Sequence, residues 1–326
     1  MKALVTGAYG FIGLNVVSML ISRGFDVDCI DIVDPKDMDN EGSSLLLDNT
    51  KNIKYHQINL LDTKHLDYFA TNYTHIFHFA GFLGVQNVLD NPSKTLYDNS
   101  IMAWNIAEFS KKQEKLELLF YTSTSEVYAG TLENYDMPIP TPETVPLALT
   151  GLDVARTSYM LSKIWGEAVI NYSQIPSYIL RPHNIYGPRM GMRHVIPQLL
   201  KRAHTIDVSS QFDVYSPTHT RAFCYIDDAV NFILGLIDSP APQLCTVLNI
   251  GNSEEEISVR SLGETILDVV GKSCAIKECD DTPGSPLRRC PDITNLTNIT
   301  GYTPRISIQE GVRKTYNWYK DNEFAK

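Results

Sequence analysis

The chain has 326 residues, 43% hydrophobic and 20% charged, and a formal net charge of -10. That balance fits a soluble globular protein with one large domain and a smaller lobe. The acidic excess argues against a general nucleic-acid binder or a binder of anionic membranes and leaves small molecules as the expected partners. The six cysteines are scattered without CxxC or His/Cys ligand spacing, so no metal site or disulfide framework is expected, and reduced thiols point to the cytoplasm.

The opening MKALVTGAYGFIG is broken by glycines too early for a signal peptide or a membrane span, so the sequons at Asn72, Asn171, Asn295 and Asn298 carry no weight. Residues 2–6 read as a buried strand. The TGAYGFIG loop follows, then a helical pattern over 11–23 and a second strand over 27–32. Further apolar runs at 52–60, 75–81, 116–124 and 177–187 alternate with helical stretches. Such alternation predicts an α/β protein with a doubly wound parallel sheet of the Rossmann type, whose binding sites lie at the carboxyl ends of the strands. Gly7, Asp31, Gly81, Thr124 and Asn184 all fall at such ends. The proline-rich 129–153 stretch reads as an ordered excursion outside the sheet. Beyond residue 181 the pattern turns irregular. The predicted division is therefore a Rossmann domain over 1–180 and a smaller C-terminal α/β substrate-binding lobe over 181–326, with segments interleaved.

Two patterns carry chemistry. Gly7, Gly10 and Gly13 stand at three-residue spacing between a strand and a helix, as a pyrophosphate requires: a tight turn, backbone approach without a Cβ, and helix N-terminal amides facing the anion. Asp31 ends the second strand, 18 residues after Gly13, where a carboxylate accepts from an adenosine ribose hydroxyl and repels a 2′-phosphate. NAD is thus expected over NADP. Tyr159 and Lys163 in YMLSK share a helix face, and the ammonium is expected to lower the phenol's pKa toward phenolate. The same spacing recurs at Tyr316 and Lys320, so this pair has weight only beside the glycine loop.

TGAYGFIG, NLLD (59–62), HFAG (78–81), STSEVY (123–128), YMLSK, LRPHNIYGP (180–188), TRAFCYIDD (220–228) and LRRCPDITN (287–295) occur in an order that resembles the extended short-chain dehydrogenase/reductase superfamily, in its NAD-dependent nucleotide-sugar epimerase/dehydratase branch. The resemblance covers nearly the whole chain. It implies that Gly7, Tyr9, Gly10, Phe11, Ile12, Gly13, Asp31, Leu61, Asp62, Ala80 and Gly81 hold NAD, with Asp62 reaching the adenine. It further implies that Thr124 bonds the sugar's C4 oxygen, that Tyr159 is the base for C4 oxidation, and that Lys163 holds the nicotinamide ribose. Asn184 would contact the diphosphate of a nucleotide sugar, UDP by default, and Arg221 and Arg289 would bind its phosphates. A homodimer is usual in the family, and the apolar face over 101–109 is compatible with one.

The chain also departs from the family pattern. YSPTHT (215–220) replaces a glycine-containing turn, Ala129 replaces a glycine, and the 129–158 excursion is long. His183, His194 and His219 read as polar loop residues or unusual sugar contacts. Glu126 decides the reaction. A 4-epimerase needs no acid there, whereas enzymes that eliminate water across C5 and C6, or release CO2 from C6, resemble this chain in carrying TSE or TDE at the strand end. The expectation is therefore a lyase, a 4,6-dehydratase or a uronate decarboxylase, with Thr124, Ser125, Glu126, Tyr159 and Lys163 as catalytic residues. A 4-epimerase is the alternative, and a keto-sugar reductase or a non-catalytic NAD-binding protein are further ones.

Overall fold

A computed structural model describes residues 1–48, 51–282 and 285–325. The chain divides into two units. The first comprises Met1–Tyr135, Pro146–Pro182 and Ile233–Leu248, and the second Asp136–Val145, His183–Phe232 and Asn249–Lys326. Part of the proline-rich excursion thus belongs with the second unit, and a segment well past residue 180 belongs with the first.

The central sheet has seven strands: β1 (Lys2–Thr6), β2 (Asp26–Asp31), β3 (Ile53–Gln57), β4 (His75–His78), β5 (Leu118–Thr122), β6 (Ser177–Pro182) and β7 (Cys245–Ile250). Their spatial order is β7-β6-β5-β4-β1-β2-β3. The sheet is parallel, with Lys2 beside Asp26, Ala3 beside His75 and His75 beside Leu118. Such strands are covered on both faces and therefore read as continuous apolar runs; β4 is buried at all its positions. On one face Leu4, Ile30, Ile76, Leu119 and Ile179 from five strands meet Ala103, Ile106 and Ile170 from the helices Pro92–Lys111 and Thr157–Tyr172. Each such aliphatic side chain contributes about 1.5–3 kcal/mol on burial. Strand order reverses between β1 and β4, which opens a crevice beyond their carboxyl ends.

Several predicted strands end early for local reasons. The 75–81 run leaves the sheet after His78. The 177–187 run stops at Pro182, since Asn184 takes a left-handed φ of 43°, and Ile185–Tyr186 then pairs with Cys224–Tyr225.

In the second unit, Thr220–Ala222 lies between Glu256–Ser258 and Arg288–Arg289. Phe212–Tyr215 pairs in parallel with Ile276–Cys279. Helices Val195–Thr205, Val259–Val270 and Ile308–Tyr319 pack on one another. Ser258 and Ser307 cap the latter two by accepting from the amides of Ser261 and Glu310. Among the described residues, no helix is long and apolar enough to cross a membrane.

Candidate active site

The chain turns sharply after β1. Gly7 adopts φ 68°, its amide donates to Ile30 O at 2.9 Å, and its carbonyl accepts from Gly10 N at 3.0 Å. A Cβ on Gly7 would stand 2.6 Å from Ala80 N, and one on Gly13 would stand 2.0 Å from Gly7 O. Both glycines are demanded by the protein's own backbone. Gly10 differs, since its Cβ would meet only Gly7 O at 3.1 Å. Its lack of a side chain matters for what approaches from the cleft.

That cleft has a volume of about 430 Å³. Gly7, Tyr9, Gly10, Asp31, Leu61, Ala80 and Gly81 all line it. Phe11, Ile12 and Gly13 form the first turn of the helix Phe11–Ser22 and are not on the lining. Asp62 is not on it either: its carboxylate accepts from Lys64 N at 3.1 Å and caps the turn Thr63–Tyr68. Asp31 is fixed by backbone donors, accepting at Oδ2 from Tyr9 N (3.0 Å) and at Oδ1 from Ile32 N (2.8 Å). The loop, the carboxylate at the end of β2 and the apolar wall of Ile30, Val33, Ile58 and Leu60 fit an adenine dinucleotide.

Three cleft features escape sequence reasoning. Lys94 and Asp98 line it and pair with each other at 2.5 Å. Asn99, buried one residue on, accepts from Phe82 N (2.7 Å) and donates to Phe82 O (3.0 Å) and to Ser162 Oγ (3.2 Å). Asn99 thus ties the segment after Gly81 to the helix that carries Tyr159. The Lys94–Asp98 spacing of four is a readable helix-pair signal. Nothing local marks Asn99.

The strand end of β5 delivers the second cluster. Thr124 caps the turn Ser125–Tyr128, its hydroxyl accepting from Glu126 N at 3.2 Å, and its side chain lies close enough to the Tyr159 phenol to lower that group's pKa. Lys163 Nζ donates to Thr122 O at 2.9 Å and lies beside Gly81. The expectation that Lys163 lowers the Tyr159 pKa is reversed here. Burial pushes the phenol up to about 12; the nearby Thr124 hydroxyl lowers it and the Glu126 carboxylate raises it further. The ammonium is 6.0 Å from the centre of the Tyr159 ring and already engaged with a carbonyl. Burial brings Lys163 itself down to about 8, against the opposing pull of Glu167.

Glu126 Oε2 accepts from Arg156 Nη2 at 2.9 Å. Arg156 stands at the start of the Thr157–Tyr172 helix, three residues before Tyr159, and the sequence reading overlooked it. The carboxylate is therefore both braced by a guanidinium and close enough to Tyr159 to bias its proton.

In the second unit, Arg221 and Arg289 are paired across adjacent strands, and Arg221 Nη2 donates to Ser285 Oγ at 2.7 Å. Asn184 donates from its amide to Ala222 O at 3.0 Å, so it also anchors the strand bearing Arg221. His183 is buried with Nε2 3.2 Å from Asn249 Oδ1, burial lowers the pKa of His194, and His219 lies against Ser285 and Asp281. Tyr316 is bonded to His204. Among the described residues, no group of three or more His, Cys, Asp or Glu could hold a metal.

Glycine loop, strand-end carboxylate and Tyr–Lys helix together define a dinucleotide-dependent enzyme of the doubly wound class. The model of the NAD dependent epimerase/dehydratase family matches residues 3–251, and the chain belongs to that family. It is 28% identical, over 99% of its length and 98% of the relative's, to the UDP-N-acetyl-alpha-D-glucosaminuronate decarboxylase of Bacillus cytotoxicus. It is 27% identical to the UDP-glucuronate 4-epimerase of Thermodesulfobacterium geofontis, over 98% of this chain and 96% of that one. The crystal structure of a UDP-glucose 4-epimerase from Thermotoga maritima has the same fold, with a TM-score of 0.83 at 23% identity over 98% of this chain and 99% of that one.

Proposed function

We propose that the protein is an NAD-dependent lyase that decarboxylates a nucleotide hexuronate, with UDP as the nucleotide. The observation that carries this reading is Glu126 held by Arg156 at 2.9 Å beside the Thr124–Tyr159 pair. A guanidinium at this strand end gives a C6 carboxylate a cation to approach, whereas a neutral hexose would have no use for it. The curated relatives described above act on uronates by their names, which supports the same substrate class.

Gly7, Tyr9, Gly10, Asp31, Leu61, Ala80 and Gly81 would hold NAD, and bound NAD supplies reversible hydride acceptance at C4 of the sugar. Tyr159 must act as phenolate, the minor form of a phenol held at about 12, to take and return the proton of the C4 hydroxyl, and Thr124 hydrogen-bonds the C4 oxygen. With C4 as a ketone, the C6 carboxylate belongs to a β-keto acid. The C5–C6 bond breaks, CO2 leaves, and the electron pair passes through C5 and C4 onto the oxygen that Thr124 and Tyr159 hold. Glu126, aimed by Arg156, is the group placed to relay to C5 a proton drawn from solvent. Return of hydride to C4 completes a redox-neutral cycle. Lys163 would hold the nicotinamide ribose, and Asn184, Arg221 and Arg289 the diphosphate.

A uronate 4-epimerase is the second reading, since it uses the same Thr124–Tyr159 pair and treats Glu126 as a brace. A proton NMR time course in D2O, without added NAD, separates the two on UDP-glucuronate and its N-acetylated analogue. Loss of CO2 with one deuterium at C5 is the expected result. A C4 epimer without deuterium would overturn the lyase, and a 4-keto-6-deoxy product from UDP-glucose would make the enzyme a dehydratase.

The proposal includes a homodimer in the cytoplasm. Tyr97 and Trp104 on one helix, and Trp165 and Tyr172 on its neighbour, are exposed, and the two tryptophan rings stand 6.4 Å apart. A second copy would cover that aromatic stripe. The six cysteines are unpaired, as a reducing compartment keeps them.

A further inference from the structure

The LRPHNIYGP motif contains a buried charge that the reaction does not use. Arg181, in β6, is 4% exposed and forms a two-pronged ion pair with the buried Glu167, Nε to Oε1 at 2.9 Å and Nη2 to Oε2 at 2.6 Å. Each partner has a further bond. Glu167 Oε1 accepts from Ser123 Oγ at 2.5 Å, and Arg181 Nη1 donates to the Tyr128 hydroxyl at 2.7 Å while its guanidinium stacks 4.9 Å from the centre of that ring.

Ser123 immediately precedes Thr124, and Tyr128 closes the turn Ser125–Tyr128 that contains Glu126. The ion pair therefore grips both ends of the segment bearing Thr124, Ser125 and Glu126. Glu167 lies four residues after Lys163 and eight after Tyr159 on the same helix, on the same face. It connects the turn to the helix bearing the phenol and the ammonium.

We infer that the Glu167–Arg181 pair is a clamp that sets the Thr124–Glu126 turn in register with Tyr159, making Ser123, Tyr128, Glu167 and Arg181 positioning residues. Stability is a weak reason for such a pair, because desolvating two charges offsets most of their attraction and apolar residues of similar size would serve as well. A planar fork adds fixed direction, and it does so at both ends of the reacting segment. A 1 Å displacement of a reacting group costs on the order of 100-fold in rate.

The inference rests on the active-site reading above, and its test separates the two. In the double variant Ser123→Ala/Tyr128→Phe both attachments are cut, while the ion pair and the ring stacked on it remain. It is expected to fold with a melting temperature near that of the parent and to bind NAD as the parent does. Its crystal structure is expected to show the Thr124–Glu126 turn displaced from Tyr159 relative to the parent. On whichever nucleotide sugar the parent converts, kcat is expected to fall on the order of 100-fold, with KM within threefold. A turn that superposes on the parent's, with Thr124 unmoved relative to Tyr159, overturns the clamp. So does an unchanged kcat. Should the parent convert no nucleotide sugar, the active-site reading fails and the crystal geometry alone decides the clamp. Should the double variant not fold, Ser123→Ala alone, which cuts the attachment next to Thr124, is judged by the same displacement and the same kcat.

Discussion

The glycine loop and the Thr124–Glu126 turn are both short links leaving a parallel strand, yet they are held by opposite means. Backbone packing holds the first: Gly7 against Ala80, Gly13 against the Gly7 carbonyl, Asp31 on two amides. Side-chain charges hold the second: the buried Glu167 and Arg181, the half-buried Arg156 on Glu126, and the buried Lys163 on the Thr122 carbonyl. A backbone-built site fails through shape, and a charge-built one through protonation and direction. Substitutions can test that distinction.

The largest effect is expected at Gly13→Ala. Its methyl group would enter within 2.0 Å of a carbonyl that is itself fixed by Gly10 N, so neither side can yield cheaply. Overpacking of this kind costs about 3 kcal/mol or more. Denaturant melts should show that loss, and calorimetry should show NAD affinity falling by over about 100-fold, roughly 2.7 kcal/mol. Wild-type stability in this variant would mean the loop is not the rigid backbone device described here.

This difference also explains what could be read in advance. Gly7, Gly13 and Asp31 are legible because their roles follow from the backbone and from spacing along the chain. The strand–helix alternation is legible for the same reason, down to β1 at Lys2–Thr6. The charge-built turn was visible only in part. Thr124, Tyr159 and Lys163 declare themselves by residue type and spacing, but their electrostatics depend on burial that no local pattern encodes, so the phenol's shift was expected in the wrong direction. Arg156, Glu167 and Arg181 reach the turn from 30 to 53 residues away in the chain, and neither propensity nor periodicity points to such partners. Asp62 is legible in its motif too, and the structure adds that its Oδ1 caps the turn Thr63–Tyr68.

On rate rather than on stability or binding, the largest effect is expected at Tyr159→Phe. Removing a proton-transfer group lowers kcat by about 100- to 10,000-fold, and here the fold should remain, since the ring stays in place. The charge-built site also predicts a pH limb. Lys163 loses its proton as pH rises through about 8, so turnover that needs the ammonium should decline on the alkaline side with its midpoint near that value. Stopped assays across pH 6 to 10, roughly two units either side of that value, would show it. A flat alkaline profile would mean the ammonium is not used.

The third substitution challenges the comparison, because the backbone-built half contains a buried charge of its own. Asp28 in β2 accepts from Tyr73 Oη (2.7 Å), lies 2.8 Å from His56 Nε2 and pairs with Lys2 at 3.2 Å. Burial alone would raise its pKa, but His56, Tyr73 and Lys2 together lower it to about 2 from 3.8. A carboxyl depressed in the folded state stabilises fully above its unfolded pKa and loses that contribution as pH falls through its folded one. The contribution is about 2 kcal/mol, present at pH 5 and gone below about pH 2. Asp28→Asn should therefore lower neutral stability by about 2 kcal/mol and flatten the dependence between pH 4 and pH 2, roughly the interval the two pKa values span. NAD affinity should be unchanged, because Asp28 is not on the cleft.

The smallest effect on stability, and the sharpest on interpretation, is expected at Gly10→Ala. Sterically this position is nearly open: its Cβ would meet one carbonyl oxygen at 3.1 Å, and φ at the residue is -65°. The added methyl should change stability by under about 0.5 kcal/mol, or slightly favour the folded state by restricting the unfolded chain. Gly10 nevertheless lines the cleft at the N-terminus of the helix, where amides face an anion. A methyl there obstructs the approach of a pyrophosphate, so NAD affinity should fall at least tenfold, about 1.4 kcal/mol, while adenosine, which lacks phosphates, should bind the variant and the parent alike. If NAD binding also survives, Gly10 belongs to the chain's own turn in the same way as Gly7 and Gly13. If adenosine weakens in parallel, the methyl has deformed the whole cleft rather than its phosphate end. Only the split result assigns the three glycines different tasks, two serving the backbone and one serving the ligand.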